Sequence, residues 1–216
     1  MNCLVIAATV FEIKPLLEWL QKEENPNPAL QIDVLITGIG LTATTYALQK
    51  QLSFKKPHLV IQAGVGGCFL KEAPLGKVFL IQKETIADQS VIELDKLKTL
   101  FDLALVPADQ YPYKNRWLIN GNPLLKKIRL PKVKGISVNE ITTDLRKVKL
   151  YQKQFAPVIE SMEGAALHYV CLQENIPFLQ LRSTSNYIAE RNKKNWNMQQ
   201  SIVNLNKELL KILQSL

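Results

Sequence analysis

Cysteine is scarce in this chain. The three present, Cys3, Cys68 and Cys171, are odd in number, far apart and each set in an apolar run. That excludes a disulfide framework and reads as buried thiols in a reducing compartment. Histidine is scarcer still, with only His58 at a strand start and His168 on a helix, and both are expected to be structural. No His/Cys/Asp grouping has metal-ligand spacing, so neither a metal nor an organic cofactor is expected. The opening stretch MNCLVIAATVFEIKP has an apolar run of only about seven residues, with no basic stretch before it and Glu12 close behind. Neither a signal peptide nor a membrane span is expected, and the cytoplasm is the expected location. Internal repeats, low-complexity tracts and Pro/Ser-rich linkers are missing, which leaves one domain over residues 1–216 as the simplest organisation.

Charge is unbalanced, at +8 net, and raises the question of nucleic acid. The excess is dispersed through Lys126–Arg129, Lys132–Lys134, Arg146–Lys149 and Arg191–Lys194, without interleaved aromatic residues to stack on bases. It reads as a solvated basic surface, or one that draws in a small anionic substrate, and nucleic-acid or membrane binding is not expected.

Short apolar runs rich in β-branched residues alternate with segments of helical period, the pattern of an α/β fold. The expected architecture is a three-layer α/β/α domain around a central mixed, mostly parallel sheet. Strands are expected at 3–8, 32–37, 58–63, 77–86, 116–119, 133–138, 157–161 and 177–184, and helices at 12–21, 42–52, 123–129, 144–154, 163–174 and 197–214. Pro15 falls in the first turn of the first helix, where a missing amide donor costs little. Asn197 is placed to cap the last helix ahead of a stripe of Ile202, Leu205, Leu209 and Ile212. Residues 87–115 are the least regular and read as a surface excursion.

Ligands of open α/β sheets gather where strands end, so chemistry is sought at Ala8–Glu12, Gly38–Gly40, Gly64–Gly67, the Ser161-Met162-Glu163 turn and Ser185–Trp196. Singly these features are weak. The turns Thr37-Gly38-Ile39-Gly40 and Gly64-Val65-Gly66-Gly67 have neither the dinucleotide G-x-G-x-x-G spacing nor a P-loop ending, and either one alone reads as a tight connection. Glu12 and Glu163, each near a helix start, also have a bland reading as carboxylates favoured by the helix dipole.

Together, these segments with Glu160-Ser161-Met162-Glu163-Gly164-Ala165-Ala166 and Arg182-Ser183-Thr184-Ser185-Asn186 make the chain resemble the nucleoside phosphorylase and nucleosidase family from end to end. The resemblance implies cleavage of a purine N-ribosidic bond, with a nucleoside as partner and a homodimer as assembly. Cleavage through an oxocarbenium-like sugar needs a carboxylate for water, a group on the ribose hydroxyls and a partner for the departing base. The resemblance assigns these to Glu12, Glu163 and Asn186 in turn, with Met162 packing on the sugar. It adds Gly64, Val65, Gly66 and Ser185 as substrate-binding positions, and Val138 or Ile141 as cover for the base. Phosphorolytic members bind phosphate through arginines, and neither Ala8–Phe11 nor Gln62 supplies one, so water is the expected nucleophile.

Adenine-releasing members carry Asp where this chain has Asn186. An amide can accept from a protonated N7 and donate to a 6-oxygen, which favours a 6-oxopurine nucleoside, with adenine release or phosphorolysis as the alternatives. The segment from Ser185 to Asn197 is similar to that of members whose nucleoside has a carboxylate-bearing 5′ extension, which makes Arg191 the candidate to pair with it.

Overall fold

The computed structural model describes residues 1–22 and 29–216. In chain order the elements are β1 (Asn2–Ala7), α1 (Lys14–Lys22), β2 (Gln31–Ile36), α2 (Leu41–Phe54), β3 (Leu59–Cys68), β4 (Val78–Glu84), β5 (Ser90–Glu93) and β6 (Lys96–Thr99). They continue as β7 (Tyr113–Lys114), β8 (Trp117–Ile119), α3 (Leu124–Lys127), β9 (Lys132–Ser137), α4 (Leu145–Phe155), β10 (Ile159–Ser161), α5 (Gly164–Gln173), β11 (Phe178–Tyr187) and α6 (Met198–Gln214).

Alternation along β1 sets the layers. Cys3, Val5 and Ala7 face a cluster with Leu16 of α1 and Leu205, Leu209 and Ile212 of α6. Leu4 and Ile6 point the other way, to Leu48 and Leu52 of α2 and Leu167 and Val170 of α5. Helices therefore cover both faces of a nine-stranded mixed sheet, the expected three-layer architecture.

The sheet is branched rather than simply open. β1 lies parallel between β2 and the first half of β3, and β11 runs parallel to the whole of β3. The far end of β3 pairs antiparallel with β10, which leads to β9, β4 and, through an antiparallel pairing, back to β11. Five strands thus close on themselves, and the ends of β3, β10 and β11 meet at one place.

Differences from the sequence expectation have local causes. The helix expected at 123–129 is the single turn Leu124–Lys127, because Ile128 is already extended and the chain must reach β9 beyond Pro131. Glu12 lies in a 3₁₀ turn, Val10–Ile13, that precedes α1. The excursion at 87–115 holds the β5–β6 hairpin and β7. Asn197 does stand at the start of α6, but its side chain makes no cap; its amide donates to Ser185 O at 2.8 Å, and Ser201 closes onto its carbonyl.

Candidate active site

Glu12 is brought to the strand ends by its 3₁₀ turn and pinned by α6, which packs on the same face of the sheet as α1. Asn206 of α6, 2% exposed, donates to the Glu12 carbonyl at 2.8 Å and accepts from Leu16 N at 3.2 Å. The Glu12 carboxylate is itself buried. Its Oε1 accepts from Val65 N at 3.0 Å, and its Oε2 accepts from the amide and hydroxyl of Thr9, both at 3.1 Å. Burial pushes its pKa above the ordinary carboxylate range, Arg182 and then the Val65 amide pull it back, and the Glu163 charge adds to the rise.

Glu163 opens α5, and its Oε1 accepts from Gly40 N at 3.1 Å. Gly40 has φ +94°, a backbone conformation side-chain-bearing residues rarely adopt, so the first glycine turn serves to aim an amide at this carboxylate. The α5 start is secured by Ser161 Oγ, which accepts from Gly164 N at 3.2 Å, and Ser137 Oγ, which accepts from Ala165 N at 2.8 Å.

Between the two acids lies Arg182 of β11, 1% exposed. Its Nη2 stands 3.3 Å from Glu163 Oε2 and donates to Gln62 at 2.9 Å, while Nη1 donates to Val65 O at 3.4 Å. Gly64, its register partner on β3, makes room: a Cβ there would sit 2.3 Å from Arg182 Nη1 and 2.9 Å from Glu12 Oε1. Sequence reasoning left Arg182 without a role. The available signal was a cation inside the apolar strand FLQLRSTS, which a buried strand tolerates only opposite fixed anions.

Asn186 is the penultimate residue of the same strand, its Oδ1 accepting from Ser185 Oγ at 2.8 Å and its Nδ2 donating to Tyr187 O at 3.0 Å. These bonds fix which end of the amide is which. One lone pair on the oxygen and one hydrogen on the nitrogen remain for a ligand.

Glu12, Glu163 and Asn186 line one cavity of about 280 Å³, together with Val65, Gly66, Met162, Ser185, Ile141 and Arg191. Gly64 sits behind its wall, against Arg182 and Glu12. Val138 does not reach it. With period two it shares the inward face of Ile136, fully buried beside Tyr151 and Phe155, so of the two positions expected to cover the base only Ile141, 47% exposed, borders the cavity. Arg191 is exposed, with its guanidinium 5.7 Å from the centre of the Trp196 ring, and both border the cavity. Phe11, 61% exposed, stands at the mouth.

A larger cavity, about 970 Å³, lies between α2, α5 and residues 99–113, with no carboxylate on its walls. The smaller cavity, by contrast, is bordered by four carboxylates, Glu12, Glu160, Glu163 and Glu190, the group type that positions and deprotonates water in ribosidic-bond cleavage. His58 and His168 are structural: His58 Nδ1 accepts from Asn2 N, and fully buried His168 bonds Leu118 O. Among the described residues no group of three or more His, Cys, Asp or Glu is disposed to hold a metal, and no helix is long and apolar enough to cross a membrane.

The acids can hold a water and a polyhydroxylated ring, and the amide can bind a donor–acceptor edge. An anion such as phosphate beside Glu12 and Glu163 would meet two carboxylates and one arginine already paired.

A profile of the phosphorylase superfamily matches residues 5–216. The chain is 25% identical over 179 residues to a futalosine hydrolase of Streptomyces coelicolor, covering 80% of this chain and 74% of that one. It is 24% identical over 182 residues to one of Thermus thermophilus, covering 83% and 80%. Among solved structures, futalosine hydrolase of Helicobacter pylori superposes with a TM-score of 0.81 at 19% identity, over 100% and 98% of the two chains. A 5′-methylthioadenosine/S-adenosylhomocysteine nucleosidase of the same organism, with 5′-methylthioadenosine in its active site, gives 0.80 at 20% identity over 100% and 99%.

Proposed function

Since the chain belongs to the phosphorylase superfamily, we propose that it hydrolyses the N-ribosidic bond of futalosine, a nucleoside of menaquinone biosynthesis, and releases hypoxanthine. The observation that carries this reading is the Asn186 amide, locked at both ends beside two buried carboxylates and left with one acceptor site and one donor site. A hypoxanthine ring protonated at N7 presents the complement, N7–H and then O6.

Glu12 takes the proton of the attacking water. Burial raises its basicity above that of a free carboxylate, while Arg182 keeps it ionisable. Glu163, oriented by Gly40 and Arg182, accepts hydrogen bonds from the ribose hydroxyls and opposes the positive charge that develops on the sugar. Met162 packs on the sugar with Val65 and Gly66 around it, Ser185 orients Asn186, Ile141 covers the base, and Arg191 pairs with the carboxylate of the 5′ extension. The enzyme acts in the cytoplasm as one domain, consistent with three free buried cysteines. It pairs with a second copy, which would cover exposed Tyr46 and Tyr111 at the larger cavity and Phe11 at the mouth of the site.

The test is incubation of the purified protein with futalosine in phosphate-free buffer, with hypoxanthine measured by chromatography. No release at micromolar enzyme removes the reading. Asn186→Asp is expected to shift preference toward the 6-amino counterpart of futalosine by about ten- to hundredfold, because a carboxylate would oppose O6. An unchanged preference means that the base is read elsewhere.

A further inference from the structure

Glu84, at the end of β4, is a fully buried acid that the chemistry above does not use. Its Oε1 accepts from Ser137 Oγ at 3.2 Å. Ser137 Oγ in turn accepts from Ala165 N at 2.8 Å, in the first turn of α5, the helix that Glu163 opens. Space around Glu84 Oε2 is tight: a Cβ on Gly135 would stand 2.6 Å from it, and one on Gly164 2.5 Å. Glu84 thus forms a floor beneath the residues that follow Glu163. Among the described residues it forms no ion pair, and Arg182, the cation whose charge it feels, is paired with Glu163.

Facing Glu84 Oε2 is the amide of Gln180 on β11, which would lie 2.3 Å from the same added Cβ on Gly164. On its other side is His168, one turn along α5 from Gly164 and on the same helix face. Glu84 Oε2, both ends of the Gln180 amide and His168 Nε2 are buried and lack hydrogen-bond partners. Such a row is costly unless its protons are arranged to close it. A half-turn exchanges the two ends of an amide, so the neighbours decide which end faces which. His168 sets the direction: its Nδ1 bonds to Leu118 O at 3.0 Å, and a carbonyl only accepts, so Nδ1 carries the proton. Burial pushes His168 down to about 4, which keeps Nε2 a bare acceptor. Gln180 then donates its nitrogen to His168 and turns its oxygen to Glu84. That oxygen needs a donor, which a carboxylate is not and a carboxylic acid is. Burial acts in the same direction, pushing Glu84 up to about 8 against the pull of Arg182.

We infer that Glu84 is a positioning residue for Glu163 that works as a neutral acid, anchoring Ser137 under the start of α5 and leaving the Arg182 guanidinium to Glu12 and Glu163. This rests on the hydrolase reading above and deepens it. The charged or titratable groups that face Glu84 are Arg182 from β11 and His168 from α5; β9 presents Ser137, and β8 presents Leu118. Ionised, Glu84 would claim the nitrogen of Gln180 and break the row to His168. It would also compete for Arg182, whose Nε is buried without a partner, and weaken the counter-charge on Glu163. Activity is therefore lost at alkaline pH through a group that never touches the substrate.

The test measures kcat, KM and calorimetric affinity for futalosine between about pH 6 and 9.5 in the wild type, Glu84→Gln and Glu84→Met, with infrared difference spectra of wild type against Glu84→Gln. A glutamine keeps the acceptor for Ser137 and a donor for Gln180, and it cannot ionise. The wild type should lose about tenfold or more in kcat from about pH 7 to 9.5, while Glu84→Gln should stay within about threefold of wild type at neutral pH and lack that fall. Glu84→Met should lose about ten- to hundredfold in kcat with a smaller change in KM. The spectra should show a protonated carboxyl at neutral pH that disappears by about pH 9.5. An alkaline fall shared by wild type and Glu84→Gln overturns the inference, as does Glu84→Gln as impaired as Glu84→Met, or no protonated carboxyl at neutral pH. If Glu84→Met does not fold, the glutamine variant and the spectra decide alone. A wild type that shows the carboxyl and binds futalosine more tightly than Glu84→Met, yet releases no hypoxanthine, leaves the role of Glu84 standing and removes the hydrolase reading. A wild type that neither binds nor hydrolyses futalosine overturns both.

Discussion

Removing the charge of Arg182 is the most revealing perturbation of this site. Arg182 is 1% exposed, and its guanidinium stands 3.3 Å from Glu163 while drawing down the pKa of Glu12. In Arg182→Met a chain of similar length carries no charge, so two carboxylates that are 8% and 6% exposed lose their common counter-ion. Breaking a buried pair on one side costs about 3–5 kcal/mol, and a chain of this size loses roughly 2–4 °C per kcal/mol, so the melting temperature should fall by about 6–20 °C. Function gives the sharper sign. In the proposed mechanism Glu12 takes a proton from water and must be ionised to do so; burial opposes that ionisation, and Arg182 is the foremost group favouring it. Without Arg182 the acid limb of the kcat/KM profile for futalosine should move to higher pH, and turnover at neutral pH should fall about 10²-fold or more. Arg182→Lys, which restores a positive charge without the planar fork, should bring the limb part of the way back. Differential scanning fluorimetry and initial rates between pH 5 and 9 read both effects. An acid limb that stays in place in Arg182→Met would refute the electrostatic coupling, and a melting temperature within 2 °C of wild type would refute the buried ion pair.

Two further substitutions probe the chemistry and the interior. Glu12→Gln should keep hypoxanthine affinity and the fold, since an amide still accepts from Val65 N, but lower turnover by about 10²- to 10⁴-fold; near-normal turnover in a stopped assay would reject its role as base. Glu84, fully buried at the end of β4, is pushed up to about 8 by burial. Its folded pKa exceeds its unfolded value near 4.3, so its contribution to stability is fully present below the unfolded pKa and is lost as pH rises through about 8, a swing of roughly 5 kcal/mol. Urea unfolding of the wild type should therefore lose more stability between pH 5 and pH 8.5 than that of Glu84→Gln, and parallel curves would show that Glu84 is not buried as described.

Most of the fold was legible because β-branched runs of four to ten residues alternate with helical stripes, and period two along β1 assigns its two faces without ambiguity. The ring of β3, β11, β4, β9 and β10 was not legible, since pairing between strands about 90 to 120 residues apart, as β3 has with β10 and β11, leaves no mark in local pattern. Glu12, Glu163 and Asn186 came from resemblance, each carried by a short motif, and the structure brings all three to one cavity. Val138 was misjudged for a local reason: one residue past β9 the inward alternation still holds, and only after Asp88 has taken the amides of Asn139 and Glu140 does the loop turn Ile141 outward.

Arg182 escaped notice for a reason general to such sites. A motif search asks which residues could act, whereas a buried pair of acids first has to be made tolerable. Here Thr9 and Val65 supply amides to one acid, Gly40 supplies one to the other, and a single guanidinium serves both. Two glycines make this possible in different ways: Gly40 by adopting φ +94°, and Gly64 by leaving room where any Cβ would strike both Arg182 and Glu12. Neither glycine lines the cavity, and neither belongs to a nucleotide-binding fingerprint. Their spacing looked uninformative in the sequence because the constraint on them is set by side chains that arrive from residues 12, 163 and 182, and it exists only once β1, β3 and β11 lie side by side.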